Sequence, residues 1–161
     1  PKPSSAASDV YKRQIETRPV PAVWVAAGNC LIGDAKKTKN SMAVTALSRY
    51  GFNQLVGYTV PSWYGKGGWG TLGLLFSNHD ASSLAEAWYL NNQFILDETM
   101  TRFPKLMDVH FNSPDINGIK NDPDFARGMN SAGYGMGKDQ LGLIHDRDTV
   151  AFYGDLSLIH I

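Results

Sequence analysis

Several residue types and patterns on which other classes of domain depend are scarce in this chain. Cys30 is the one cysteine among 161 residues, which excludes an internal disulfide framework and any zinc or iron–sulfur site built from several cysteines. Fifteen basic residues balance fifteen acidic ones, so nothing in the charge indicates a nucleic-acid partner or a polybasic membrane anchor. No apolar run approaches bilayer length and no signal peptide is visible, so no membrane segment is expected.

The apolar content is sufficient for a packed core. Hydrophobic residues make up 43% of the chain and aromatic residues 11%, which argues against wholesale disorder. The length fits one domain of ordinary size.

The two ends of the chain are related through the genetic code. Residues 9–14 read DVYKRQ and residues 156–161 read LSLIHI. The codons GAT-GTG-TAT-AAG-AGA-CAG encode the first hexapeptide, and their reverse complement encodes the second. This is the transposon end used as an adapter in sequencing libraries, and SSAAS, just upstream, fits the rest of the same primer. We therefore interpret residues 1–14 and 156–161 as adapter-encoded rather than native, and residues 15–155 as a partial domain.

Alternating strand and helix signals predict an α/β domain. Strands are predicted over 22–27, 54–58 and 148–153, and helices over 41–50, 71–77 and 83–103. The first strand, helix and strand predict a parallel crossover. Residues 105–137 are polar and rich in glycine, proline and asparagine; they either hold a short helix near 123–129 or form an insertion.

Cys30 follows the first predicted strand and stands between Gly28 and Gly33, which permit a tight turn. In open α/β sheets, ligands bind at the carboxyl ends of the strands. A lone cysteine is most often a small buried apolar residue, but a thiol that faces the backbone N–H groups of such a turn is well placed as a nucleophile.

A thiol nucleophile needs a base, which is normally histidine. The histidines of residues 15–155 have no metal-ligand spacing and lie in no recognisable base motif; we interpret each as a surface or capping residue (His79, His110 and His145). No metal and no cofactor are expected.

Residues 59–70 read TVPSWYGKGGWG and predict a glycine-rich loop, whose part 65–70 is expected to be flexible and to close over a peptide if the domain is a peptidase. Aromatic residues in a glycine-rich loop more often line a binding surface than a core, so we predict substrate contact for at least one of Trp63 and Trp69. The segment matches G-x-G-x-x-G, but it does not directly follow the strand, and nucleotide binding is not expected.

Taken in order, these motifs resemble those of gingipain-type cysteine peptidases, a family of the caspase-like clan. CLIGD, from Cys30, resembles the C-x-x-G-D around the family's nucleophile, and PSW, ending at Trp63, resembles its Ser-Trp after the next strand. SLAEA, from Ser83, resembles a helix start of the family, and Tyr153-Gly154-Asp155 resembles the Gly-Asp-Pro that ends its last strand. The matches span residues 22–155.

The resemblance implies a caspase-like open sheet, mostly parallel, with helices on both faces, of which residues 15–155 are the C-terminal part. It implies that Cys30 is the nucleophile and a backbone oxyanion donor, and that the base is the histidine of a His-Gly pair upstream of Ile15. Trp63 walls the specificity pocket, and the predicted substrate contacts are Trp63, Ser62, Thr59 and Trp69. The implied partner is a peptide or protein substrate, and the implied location is the cell envelope or exterior of a bacterium.

The sequence departs from the family's pattern in several places, and alternatives stay open. Residues 105–137 form a longer stretch than the family's pattern leads us to expect. Asn29 replaces a small residue before the nucleophile, and the proline of Gly-Asp-Pro is missing, because Leu156 is interpreted as adapter-encoded. One alternative is a catalytically inactive caspase-like domain with a scaffolding or binding role. The other is an unrelated α/β module that binds a carbohydrate or another ligand through its tryptophans. Residues 15–155 alone are predicted to be inactive as a hydrolase, because the base lies upstream.

Overall fold

The computed structural model describes residues 22–28, 30–35, 41–77, 83–111 and 122–154, and within these ranges it forms an α/β domain. The strands are β1 (Ala22–Val25), β2 (Phe52–Tyr58) and β3 (Val150–Gly154). The helices are α1 (Met42–Arg49), α2 (Lys66–Ser77), α3 (Leu84–Arg102), α4 (Pro123–Ala132) and α5 (Lys138–Thr149), with a 3₁₀ turn at Pro104–Leu106. The predicted α/β class is confirmed. Both segments interpreted as adapter-encoded lie outside the described residues.

The three described strands form one sheet in the order β1-β2-β3. Strands β1 and β2 pair in parallel, with Trp24 opposite Leu55, which confirms the predicted parallel pair. Strand β3 runs antiparallel to β2, with Val150 opposite Tyr58. The expected mostly parallel sheet is therefore a mixed one in this part of the chain. Helix α5 leads directly into β3 at the edge where β2 ends, so β3 can only run back along β2.

Helices cover both faces of this sheet. Because neighbouring strand residues point to opposite faces, Leu55 and Val56 belong to different cores. On one face, Leu55 packs with Ala43 and Ala46 of α1. On the other, Val56 packs with Leu84 of α3, and Leu75 of α2 borders the same cluster.

A third core lies beyond the carboxyl edge of β2. Phe125 and Met129 of α4 pack there against Leu106 of the 3₁₀ turn and Ile144 of α5. The sequence leaves two predictions open for residues 105–137, and the one of a short helix is confirmed by α4. This helix packs in the domain's core rather than in a separate insertion. Helix α5 was not predicted, because its buried face includes glycine, histidine and aspartate and so lacks an apolar period.

Helices α1 and α3 begin where the sequence predicts, because a serine side chain caps the start of each. The Ser41 hydroxyl accepts a hydrogen bond from the Val44 N–H at 3.2 Å, and the Ser83 hydroxyl accepts one from the Glu86 N–H at 3.1 Å. These bonds satisfy backbone donors that have no partner within the helix. Helix α3 ends at Arg102, one residue before the predicted end at Phe103, and Pro104 follows that residue. No helix in the described part of the chain has the length and apolar character to cross a membrane.

The prediction of a flexible loop is wrong for the glycines of residues 65–70. They do not form a flexible loop, because Lys66 already begins α2. A Cβ atom on Gly68 would lie 2.1 Å from the Ala27 carbonyl oxygen, and one on Gly70 would lie 2.0 Å from Asn91 Oδ1. Glycine is therefore required here so that α2 can approach the end of β1 and helix α3 closely.

This packing predicts opposite outcomes for two glycine-to-alanine changes in α2. Gly68→Ala forces backbone atoms apart and should lower the free energy of unfolding by about 1–3 kcal/mol. Gly73 has open space around its Cβ position, so Gly73→Ala should raise that free energy by up to about 1 kcal/mol. Urea denaturation of both variants measures the difference. Equal effects would contradict the close approach of α2 to β1.

Candidate functional site

Three segments of the chain meet at the edge of the sheet where β1 and β2 end. Cys30 follows β1, Ser62 follows β2, and His145 precedes β3 in helix α5. The parallel and antiparallel pairings together bring these segments to one edge, because the start of β3 lies opposite the end of β2. This is the edge at which α/β sheets bind ligands.

The turn that carries Cys30 is held tightly against β2. The Gly33 N–H donates to the Tyr58 carbonyl oxygen at 2.9 Å, and the Tyr153 hydroxyl donates to the Gly33 carbonyl oxygen at 2.6 Å. A Cβ atom on Gly33 would lie 2.4 Å from the Gly57 carbonyl oxygen, so only glycine fits. Gly28 lies at the bend before the cysteine, beside the indole of Trp69.

Backbone strain accompanies this turn directly after the cysteine. Among the described residues, Leu31 is the one non-glycine residue with positive φ, at 65°. A left-handed conformation costs an ordinary L-residue about 1–2 kcal/mol, so the hydrogen bonds and close contacts of Gly33 must hold it.

The Cys30 thiol is exposed and free and contacts one residue of the loop after β2. The Ser62 N–H donates to Cys30 Sγ at 3.1 Å. The thiol also lies 3.5 Å from the Ser62 carbonyl oxygen and 3.7 Å from its hydroxyl oxygen. The sulfur is therefore held against the backbone of Ser62 while it stays accessible to solvent.

Behind this loop, His145 and Asp146 form a polar pair with no solvent exposure. His145 Nδ1 lies 3.1 Å from Asp146 Oδ1. Asp146 Oδ2 accepts hydrogen bonds from the Gly67 N–H at 2.7 Å and from the Tyr58 hydroxyl at 3.2 Å. The carboxylate therefore caps the N-terminus of α2, where negative charge is favoured. Burial, and then the charge of Asp146, raises the pKa of Tyr58 well above its usual range.

The interpretation of His145 as a surface or capping residue is wrong. Its ring is enclosed by three aromatic neighbours, Tyr58, Trp63 and Phe111, and its Nε2 lies 3.1 Å from the Pro61 carbonyl oxygen. His110 is an exposed residue beside Arg147 and Asp148, whereas His79 lies outside the described residues. Only the sequence His-Asp just before a strand marks the buried pair, and that signal is too common to identify it alone.

The predicted substrate contacts occupy different environments. Ser62 lies against the thiol, and half-buried Trp63 packs on His145; within the described residues its buried Nε1 has no hydrogen-bond partner. Thr59 is engaged within the fold, because its N–H and hydroxyl both donate to the Thr149 carbonyl oxygen, at 2.9 and 3.1 Å. Trp69 is 61% exposed and stands on the first turn of α2.

Trp69 also walls a groove of about 500 Å³ between α2 and α3. Aromatic and aliphatic side chains line it together with a charged pair (Tyr64, Trp69, Phe94, Ile95, Lys66 and Glu98). Lys66 Nζ lies 2.5 Å from Glu98 Oε2. Arg102 Nη1 lies 2.6 Å from Glu98 Oε1, and Arg102 Nη2 lies 2.7 Å from Asp139 Oδ2. This chain of ion pairs connects α2, α3 and α5 along one rim of the groove.

The same network shifts the ionisation equilibria of several of its members, among them Glu98 and Tyr64. The hydrogen bond from Lys66 lowers the pKa of Glu98 below its usual range. Burial raises the pKa of Tyr64 to about 12, followed by the charge of Asp139 and then by the hydrogen bond that the Tyr64 hydroxyl donates to Asp139 Oδ1 at 3.2 Å. Tyr64 is therefore neutral at physiological pH and acts as a donor.

The lowered pKa of Glu98 predicts an acid-dependent part of stability. A carboxyl whose pKa is lower in the folded than in the unfolded state stabilises the fold at pH values above its unfolded pKa, 4.5. This stabilisation is lost as the pH falls through the lower pKa of the folded state. Glu98→Gln should lower the unfolding free energy by up to about 1 kcal/mol at pH 7, discounted for solvent exposure. The difference from wild type should shrink between pH 4.5 and pH 3, as followed by thermal denaturation. A difference that persists unchanged at pH 3 would contradict the assignment.

Comparison of the chain with models of protein families finds no match. Comparisons with curated proteins and with solved structures find none either. The resemblance to gingipain-type peptidases therefore depends on the quoted motifs alone, and function must be argued from the geometry at the carboxyl edge of β1 and β2.

Proposed function

We propose that this chain is part of a cysteine peptidase of caspase-like fold, with Cys30 as its nucleophile. The observation that carries the proposal is the exposed Cys30 thiol held against the Ser62 N–H, next to Trp63, at the edge where β1 and β2 end. The thiol thus combines solvent access with a hydrogen-bond donor and an adjacent aromatic surface. The motif resemblance supports the same assignment.

In the proposed reaction, the Cys30 thiolate attacks the carbonyl carbon of the scissile peptide bond. The new C–S bond forms as the C–N bond breaks, and the leaving amine takes a proton from the protonated histidine base. Water, deprotonated by the same histidine, then hydrolyses the thioester and restores the thiol. The backbone N–H of Cys30 is proposed as one donor to the oxyanion, and such donors typically contribute about 3–4 kcal/mol to transition-state stabilisation.

The base in this proposal is the histidine upstream of Ile15 that the motif resemblance implies. Neither described histidine suits the role. His145 is fully buried and its Nε2 is engaged by the Pro61 carbonyl oxygen. His110 lies on the surface beside Arg147 and Asp148.

Substrate recognition is proposed to involve the residues that border the thiol. Trp63 presents a ring held by packing on His145 and Tyr64, and a fixed aromatic wall suits a pocket for one substrate side chain. Ser62 and Trp69 lie on either side of the Cys30 turn, Ser62 at the sulfur and Trp69 beside Gly28. The engagement of Thr59 with Thr149 makes it a support for this loop in the described structure.

A second candidate function is binding without catalysis. The groove between α2 and α3 exposes Trp69 and Phe94, which are 61% and 60% accessible. Exposed aromatic residues around a concave surface are typical of ligand and carbohydrate sites. This observation favours a binding module, and an inactive caspase-like domain would share it.

Replacement of Cys30, the proposed nucleophile, distinguishes the peptidase from the binding module. In a chain extended upstream to include the proposed base, Cys30→Ala should reduce cleavage of a denatured protein substrate by roughly 10³-fold or more. Proteolysis is measured by release of fluorescent peptides, and circular dichroism of the variant serves as the folding control. Peptide binding that persists in Cys30→Ala but is lost in Trp69→Ala, with no cleavage by wild type, would instead support the binding module. Sustained, Cys30-dependent cleavage by residues 15–155 alone would contradict the upstream base.

A further inference from the structure

The turn that carries Cys30 is attached to the rest of the domain at three points. The Ile32 side chain is buried in the core between the sheet and α1. The Gly33 N–H donates to the Tyr58 carbonyl oxygen of β2 at 2.9 Å. The Gly33 carbonyl oxygen accepts a hydrogen bond from the Tyr153 hydroxyl at 2.6 Å. This third attachment is the one that comes from β3.

The ring and the hydroxyl of Tyr153 have different contacts. Tyr153 lies opposite Leu55 in the antiparallel pair of β2 and β3, and its ring packs at the border of the core that holds Ile32. Burial, and then the charge of Asp34, raises the pKa of Tyr153, so the hydroxyl keeps its proton and can donate to Gly33. Phenylalanine at this position would keep the ring in the core and remove the bond to the turn.

The turn needs such attachments because its backbone is strained. Leu31 has a φ of 65°, a left-handed conformation that is unfavourable for leucine. The Asp34 N–H donates to the Leu31 carbonyl oxygen at 3.1 Å, which closes the turn. The cost of a left-handed residue is of the same order as the net contribution of one hydrogen bond. The loss of one attachment is therefore enough to shift the conformational equilibrium of the turn.

We propose that Tyr153 is a positioning residue whose hydroxyl holds this turn in the conformation that places the Cys30 sulfur at Ser62. The sulfur lies 3.1 Å from the Ser62 nitrogen and 3.7 Å from the Ser62 hydroxyl oxygen. Without the hydroxyl, Leu31 can leave the left-handed region, and the turn then carries the thiol away from Ser62. This inference rests on the proposed role of Cys30 as nucleophile, but the position of the sulfur can be measured without peptidase activity.

The test places a second thiol at residue 62 to report on the position of the sulfur. In Ser62→Cys, the equilibrium between the dithiol with oxidised glutathione and the disulfide with reduced glutathione gives the effective concentration of one thiol at the other. Adding Tyr153→Phe should lower this effective concentration roughly fivefold, the ratio to which one ordinary hydrogen bond corresponds. A merely structural role would lower the free energy of unfolding and leave this equilibrium unchanged as long as the chain stays folded.

Two further variants in the same Ser62→Cys background make the test specific. Leu31→Gly removes the steric penalty of a positive φ, so adding it to Tyr153→Phe should restore most of the lost effective concentration. Tyr89→Phe, the same change at an exposed tyrosine of α3, should have no effect. In an extended chain that cleaves peptides, Tyr153→Phe should lower kcat roughly fivefold and leave KM unchanged, because the nucleophile and not the substrate contact is displaced.

An effective concentration that Tyr153→Phe leaves unchanged would overturn the inference, as would an equal loss in Tyr89→Phe or no recovery with Leu31→Gly. If Tyr153→Phe does not fold, or Ser62→Cys forms no disulfide, NMR of the wild type decides instead. A Tyr153 hydroxyl proton in slow exchange with water supports the inference, and one in fast exchange overturns it. Failure of the extended chain to cleave peptides would refute the peptidase alone, since the disulfide equilibrium does not depend on cleavage.

Discussion

The carboxylate of Asp146 is the group on which the arrangement of the site depends. It lies fully buried where α5, β2 and α2 meet, and it accepts hydrogen bonds from Gly67 and Tyr58 while contacting His145. A buried charge without partners is strongly unfavourable, and breaking such a pair typically costs about 3–5 kcal/mol. All three partners must therefore be in place together, which orients the start of α2, the end of β2 and the imidazole at once.

Close contacts between backbone segments also fix the position of the Cys30 thiol. Gly33 can contact Gly57, and Gly68 can contact Ala27, only because neither glycine has a side chain. The first contact seats the turn that carries Cys30 on β2, and the second seats α2 on the end of β1. The thiol is thus presented by elements of the sheet rather than by a mobile loop, which is the kind of support that a precise nucleophile requires.

The two candidate functions use different parts of this surface. A peptidase would use the Cys30–Ser62 edge with Trp63, where a backbone N–H meets a free thiol. A binding module would use the groove beside Trp69 and Phe94, whose rim of ion pairs runs from Lys66 to Asp139. Gly28 lies beside the Trp69 indole and two residues before Cys30, so the two regions adjoin at this glycine.

Local signals in the sequence determined the α/β class, the parallel pair, the capped starts of α1 and α3, and the position of Cys30 after a strand. These features depend on periodicity and on side chains that bond their own neighbourhood. Only the tertiary structure decided the antiparallel direction of β3, the helical start of α2 within a glycine-rich segment, and the burial of His145. Each depends on partners far along the chain, such as Tyr58 with Asp146 or Gly68 with Ala27, and a local sequence pattern holds no information about which distant group a glycine or a histidine will meet.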